Sequence, residues 1–363
     1  MTTERVLVVQ EQLPKYRLAF FEELGTRVSL TVATEEHDQW PSVQNFAIAP
    51  LRLTRRWSGT PFQTVHALDV VGLVRRLDPA SVVMSANPRF IFNREISAEA
   101  VRLGARRLGW GLGTMDITPL VPSSVRSFGR RRMIRYFDEV LAYSTRGAAE
   151  FARLGLSPDR VHVALNSKWS RDALPSREPH RWNGKLNVAY LGRVTERKKV
   201  DVLIRAFHGI SSDVRGNLIV IGMGPELESL RQLASELHCN VRFAGHLDGQ
   251  ALSEELSNVD LVVLPGTGGL AMHDAFAYGL PVICGRGDGT QYDLVTDECG
   301  WIMEDLGVVS LRERLESIAR TPEQLPAMQR AARARVAETF NVQQMADVFE
   351  SVLSRQTANP EGP

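Results

Sequence analysis

Residues 261–283 read LVVLPGTGGLAMHDAFAYGLPVI. Leu261 to Leu264 form a short unbroken aliphatic run, the pattern of a strand covered on both faces, and such strands belong to parallel sheets. Pro265 ends the run, glycines follow at 266, 268 and 269, and Leu270 opens a helical stretch with one acid, Asp274, about a turn in. Glycine at the mouth of a strand lets backbone approach a ligand closely, and the start of a helix favours an anion. Asp274 there has two readings: a carboxylate that accepts hydrogen bonds from a ribose diol, or plain charge complementarity to the helix end.

The same alternation runs outward in both directions. Strands are expected at VLVVQ, VSLTVAT, SVVMSA, RLGWG, EVLAYS and VHVAL, then at NVAYLG, NLIVIG, NVRFAG, DLVVLPG, PVICG and GWIME, with amphipathic stretches between them. Two such series predict an α/β chain of two Rossmann-like, doubly wound sheets. The expected division is an N-terminal domain over 1–167, a polar linker over 168–185 and a second domain over 186–340. Val342, Met345, Phe349 and Val352 repeat at helical spacing, so a helix at about 341–356 is expected to cross back onto the first domain. The tail, 357–363, is polar, Pro-rich and expected to be disordered.

Composition narrows the function. The 363 residues are 44% hydrophobic and carry 43 Lys plus Arg against 42 Asp plus Glu, which excludes wholesale disorder and any pull toward nucleic acid by bulk charge. Cys239, Cys284 and Cys299 share no metal-ligand or disulfide spacing. The apolar run near the start is too short for a signal peptide, and nothing approaches the ~18 apolar residues of a membrane span. A cytoplasmic chain is expected, with a peripheral place on the cytoplasmic face of a membrane left open.

Chemistry concentrates in loops after the second-half strands, the edge where open α/β sheets bind ligands. YLGRVTERKKV places Gly192, Arg193 and Lys198 after one strand, a cationic pair suited to a diphosphate; the alternative is a solvated basic loop. VIGMGPELESL supplies Gly222 and Gly224, but Leu227 stands where a dinucleotide fingerprint has its third glycine. VRFAGHL adds Gly245.

In this order the segments GRVTERKKVDVLI, IGMGPELESL, VRFAGHL, LSNVDLVVLPG and GLAMHDAFAYGLPVI resemble the C-terminal half of retaining glycosyltransferases of family 4, over about residues 187–305. PKYRLAFFEEL, GWGLG and VLAYSTRGAAEFARLGLSPDRVHVALNS resemble the first half more loosely. The resemblance implies a GT-B fold, two Rossmann-like domains facing across a cleft, with donor on the second and acceptor on the first. It implies diphosphate binding by Arg193 and Lys198 as the catalytic pair, ribose binding by Asp274 where the family usually has Glu, and donor contacts from the amides of Gly269 and Leu270. Gly192, Gly222, Gly224, Gly245, Gly266 and Gly268 complete the donor side, and Tyr16, Arg17, Trp110 and Gly111 are expected toward the acceptor.

The chain departs from that family at two places. The first acid of the family's paired-acid motif falls on Gly266, and GWGLG carries Leu112 in a loop where many relatives have a histidine. With only backbone at 266, a donor lacking a hydroxyl there, such as a deoxysugar, or a sugar turned toward main-chain N–H groups is expected. Arg126, Arg130, Arg131, Arg132 and Arg135, interleaved with Phe128, Met133, Tyr136 and Phe137, read either as a contact for anionic lipid or as a solvated helix. His37 and Asp38 follow a strand and form a further candidate acceptor loop.

The leading expectation is transfer of a hexosyl or deoxyhexosyl group from a nucleotide-diphosphate sugar to a hydroxyl of a glycan, glycolipid or polyprenyl-linked saccharide, with retention, no cofactor and no metal. The rivals are a catalytically silent sugar-nucleotide binder and a sugar-nucleotide epimerase, which needs further acids and a histidine for proton transfer.

Overall fold

The computed structural model describes residues 4–60, 63–113, 123–177 and 182–355, with 123–127 described by backbone alone. It comprises two compact units, Met1–Lys168 with Val342–Pro363, and Trp169–Asn341.

In the first unit the strands are β1 (Arg5–Val9), β2 (Ser29–Glu35), β3 (Phe46–Arg56), β4 (Thr64–Leu68), β5 (Ser81–Ser85), β6 (Arg106–Gly111), β7 (Glu139–Ala142) and β8 (Val161–Val163). Helices α1 (Lys15–Gly25), α2 (Val70–Leu77), α3 (Asn93–Leu103), α4 (Ser123–Met133) and α5 (Thr145–Leu154) connect them. The sheet order is β4-β3-β2-β1-β5-β6-β7-β8, parallel except for the β3–β4 pair. Chain order reverses between β1 and β5, which places a switch point at their carboxyl ends.

The second unit holds β9 (Leu186–Leu191), β10 (Arg215–Ile221), β11 (Val241–Gly245), β12 (Leu261–Leu264), β13 (Val282–Cys284) and β14 (Gly300–Ile302), in the order β11-β10-β9-β12-β13-β14. Its helices are α6 (Val200–His208), α7 (Leu227–Glu236), α8 (Gly249–Leu256), α9 (Ala271–Ala277), α10 (Gln291–Leu294), α11 (Val308–Arg320) and α12 (Leu325–Ala334). Every residue of β9 and β12 is buried, as a central strand covered on both faces requires. These two strands pair with each other, so the loops that leave them emerge side by side.

Each strand read from the sequence is present; β3 and β4 were not foreseen. Pro50 interrupts β3, and its second half carries Arg52, Arg55 and Arg56, so no hydrophobic period marks it. Its first half pairs with β2 and its second with the edge strand β4. The expected linker also differs from its polar appearance. Half-buried Arg177 donates to the carbonyls of Tyr278 (2.8 Å), Val259 (2.9 Å) and Leu256 (3.1 Å), while Arg333 donates to the Pro175 carbonyl at 2.6 Å. Residues 169–177 are thus fastened to the second unit, and burial brings the Arg177 pKa down to about 10. Residues 178–181 and the expected tail, 357–363, lie outside the described residues.

The final helix, α13 (Val342–Leu353), belongs to the first unit. Its Val342, Met345, Phe349 and Val352 are buried in one cluster with Phe20, Phe21 and Trp110. Phe349 meets Phe20 edge-on at 4.9 Å and Trp110 at 5.1 Å, and Arg27, just after α1, pairs with Asp347 and Glu350 on α13. Truncating a fully buried phenylalanine costs about 3–5 kcal/mol. Phe349→Ala is therefore expected to lower the stability of the first unit by that amount in denaturant titration, and a loss below about 1 kcal/mol would show that α13 is not part of its core.

Candidate functional site

The switch point of the second sheet lies between β9 and β12, and the loops leaving those two strands carry Arg193, Lys198 and the opening glycines. After Leu191 the chain turns at Gly192, whose φ of 135° lies in the region that favours glycine. The Tyr190 hydroxyl donates to the Arg193 carbonyl at 2.8 Å and pins the turn, while the Arg193 side chain is exposed. The β9 loop is also laced to the β10 loop: Gly192 N–H donates to the Ile221 carbonyl (3.0 Å), and Val194 N–H to that of Met223 (2.9 Å). Gly222 N–H in turn donates to the Gly245 carbonyl at 2.7 Å.

This lacing accounts for two glycines. A Cβ at Gly222 would collide with the Gly192 carbonyl, and one at Gly224 with the Val194 carbonyl. Backbone packing alone thus requires their bareness. Gly268 lies against Met272, whereas Gly269, at φ 60°, has open space where a side chain would be.

Gly266 stands close against Arg197 and Lys198 of the cationic loop. A Cβ there would collide with the Arg197 carbonyl and stand 2.6 Å from the Lys198 Cα. The side-chain direction at Gly266 therefore faces main chain of the β9 loop. The residue lets the β9 loop close down onto the β12 loop, and the Lys198 ammonium then donates to the Thr267 carbonyl. Main chain and side chain of Lys198 are both fixed by residues 266–267. Burial lowers the Lys198 pKa below the ordinary lysine value, Arg197 and Arg193 add to this, and Asp288 opposes it. Neither Thr267 nor Asp288 carried a sequence signal.

Asp274 stands in the first turn of the seven-residue helix α9, whose start at Leu270 has no side-chain cap. Its Oδ1 accepts the Trp169 indole N–H at 3.1 Å, and Trp169 packs edge-on against Tyr278 at 6.3 Å. Trp169, assigned to the linker from sequence, thus orients the acid.

The residues expected toward the acceptor separate into two kinds. Tyr16 is 37% exposed, whereas Arg17 and Trp110 are 3% and 2% exposed. Trp110, near the end of β6, packs against Phe20, Phe21 and Phe349 as a core group. Gly111 is buried, and a Cβ on it would stand 3.1 Å from that of Ala86. His37 and Asp38 are exposed beyond β2.

In the basic segment Arg131, Arg132 and Arg135 are exposed, Arg130 is half-buried and Phe128 is 70% exposed. Met133, Ile134 and Phe137 belong to the core, so most of the interleaved apolar side chains point inward. The Arg126 side chain lies outside the described residues. Among the described residues no helix is long and apolar enough to cross a membrane, and no group of three His, Cys, Asp or Glu is placed to hold a metal ion.

Comparison with known proteins agrees with this fold. Residues 174–335 match the model for glycosyl transferases group 1. Over 180 residues the chain is 29% identical to a GDP-mannose-dependent monoacylated alpha-(1-6)-phosphatidylinositol monomannoside mannosyltransferase of Corynebacterium glutamicum, a match covering 47% of each chain. It is 27% identical over 263 residues to a GDP-mannose-dependent alpha-(1-6)-phosphatidylinositol monomannoside mannosyltransferase of Mycolicibacterium smegmatis, covering 64% of this chain and 66% of the relative. The matched part thus spans about half to two thirds of these relatives. HepE of Anabaena, solved in complex with UDP, superposes with a TM-score of 0.74 over 96% of this chain and 99% of HepE, at 14% identity. The lipopolysaccharide outer core galactosyltransferase WaaB gives 0.70 over 96% and 98%, at 13% identity. Residues 174–335 are thus similar to glycosyl transferases group 1, within a chain whose two parallel sheets have the GT-B fold.

Proposed function

We propose that the chain transfers a hexosyl or deoxyhexosyl group from a nucleotide-diphosphate sugar to a hydroxyl of a glycan or lipid-linked acceptor. The observation that carries this reading is Lys198, half-buried and held on the Thr267 carbonyl, two residues before Gly269, where a side chain would meet open space. The names of the relatives support it, since they specify GDP-mannose and phosphatidylinositol mannosides, as does UDP bound to HepE. In the reaction the anomeric carbon–oxygen bond to the diphosphate breaks and a bond to the acceptor oxygen forms on the same face. The acceptor proton passes to the departing phosphate oxygen. Negative charge gathers on the diphosphate, and fixed donors placed there lower the barrier without rearranging. In this reading Lys198 and Arg193 neutralise the leaving group in place of a metal, and Asp274, oriented by Trp169, holds the ribose diol.

Lys198→Ala is expected to cut turnover, measured with a chelator present, by about 100-fold or more, the scale of removing one preorganised donor. Unchanged turnover in a folded variant would remove Lys198 from the reaction. The lowered pKa adds a pH signature. As pH rises through that value the free protein loses the Lys198 proton, so nucleoside diphosphate binding must take one up. Affinity then falls by up to about tenfold per pH unit, starting below the ordinary lysine range. Lys198→Arg, permanently charged, is expected to abolish the fall in calorimetric titrations.

We also propose a peripheral contact with anionic membrane through Arg131, Arg132 and Arg135, supported by their exposure beside Phe128. Binding to phosphatidylglycerol vesicles is expected to weaken with salt, and to weaken when the three arginines are changed to Ser. Equal binding to neutral vesicles would contradict this.

A further inference from the structure

The first unit buries a cation for which the described residues supply no counter-ion. Arg17, 3% exposed, lies in the first turn of α1. Its guanidinium carbon stands 4.2 Å from the ring centre of Trp110, 5.1 Å from that of Tyr143 and 5.4 Å from that of Tyr16. Nη2 donates to the Tyr143 hydroxyl at 3.0 Å, while Nη1, also buried, has no hydrogen-bond partner among the described residues. Arginine does not give up its proton in a protein, so the charge persists. Tyr143 does not balance it, because burial raises the pKa of that phenol and keeps it neutral. Three aromatic faces offset part of the desolvation cost but leave an N–H donor unmet.

The helix itself repeats the imbalance. α1 has eleven residues, begins after Pro14 without a side-chain cap, and has no acid in its first turn. Lys15 and Arg17 instead place two full positive charges where the backbone already gathers positive partial charge, the end at which anions are favoured. Nothing in folding alone asks for this arrangement. It also sits at the ligand edge of the sheet: α1 follows β1 at the switch point, Trp110 belongs to the end of β6, and Tyr143 follows β7.

We infer that Arg17 Nη1, Lys15 and the N-terminus of α1 bind a phosphate group carried by the acceptor. A phosphate suits a site with two cations and helix N–H donors, since its several oxygens accept from all of them at once. The inference rests on the glycosyl-transfer reading for the word acceptor; the anion site stands without it.

The test uses the full chain and calorimetric titration with glycerol 1-phosphate, inorganic phosphate and glycerol at fixed ionic strength, alone and with saturating GDP or UDP. Both phosphates are expected to bind in the presence of nucleotide, and glycerol is not. Arg17→Met is expected to weaken the phosphates by about tenfold or more, the scale of a charge-assisted hydrogen bond. Because Arg17 is buried, exposed Lys15 supplies a second variant. Lys15→Glu adds an acid where the helix favours one, so it is expected to raise the melting temperature while abolishing phosphate binding. A stabilised Lys15→Glu protein that binds phosphate like wild type would overturn the site. Loss of phosphate binding on adding nucleotide, with Arg17→Met weakening nucleotide equally, would assign the anion to the donor and overturn the acceptor assignment. Phosphate binding without any glycosyl transfer would remove the proposed function and leave this site in place.

Discussion

The second unit is organised around the closeness of two main chains. Gly266 stands so near Arg197 and Lys198 that no side chain fits between them, and this lets the loop from β9 lie on the loop from β12. The two strands are neighbours only because chain order reverses between them. Strand pairing therefore brings the loops together, glycine lets them touch, and the touch fixes Lys198 with its ammonium on the Thr267 carbonyl. A lysine held in this way is partly desolvated before any ligand arrives, which lowers its pKa and strengthens its attraction for a diphosphate. The loss of a side chain at 266 is, in this account, a gain of closure.

The first unit uses a different device. Its sheet is covered on one face by α1 and α13, joined through Phe20, Phe21, Phe349 and Trp110, so the last helix completes the core that the first strands begin. The aromatic cluster extends to the sheet's carboxyl edge, where Trp110 and Tyr143 enclose the guanidinium of Arg17. Packing and an unmet polar group meet in the same side chains, since Arg17 is nearly inaccessible and its buried Nη1 has no hydrogen-bond partner among the described residues.

The sequence made the fold legible where a single period dominated. Aliphatic runs such as Leu261–Leu264 and the stripe of α13 admit one reading, and both are present. The arginine-rich half of β3 did not, because an edge ladder needs little hydrophobic pattern. Within the site, Arg193, Lys198 and Asp274 were legible as charged residues at loop mouths. Their supports were not: Thr267 acts through its carbonyl, and Trp169 reaches Asp274 from about a hundred positions away in sequence. Glycines were legible as necessary but ambiguous in purpose, since a Cβ would meet open space at Gly269 and a neighbouring loop at Gly222 and Gly266. Arg17 and Trp110 were legible together as residues toward the acceptor; their burial and stacking, which depend on β6, β7 and α1 converging, were not.

The central claim is that the β9 and β12 loops of the second unit hold the donor. A crystal structure of the full chain with UDP or GDP tests it most directly. The account predicts the diphosphate within hydrogen-bond distance of Lys198 Nζ and the amides of Gly269 and Leu270, with the ribose hydroxyls on the Asp274 carboxylate. A diphosphate bound away from both loops, with Lys198 still on the Thr267 carbonyl alone, would contradict it.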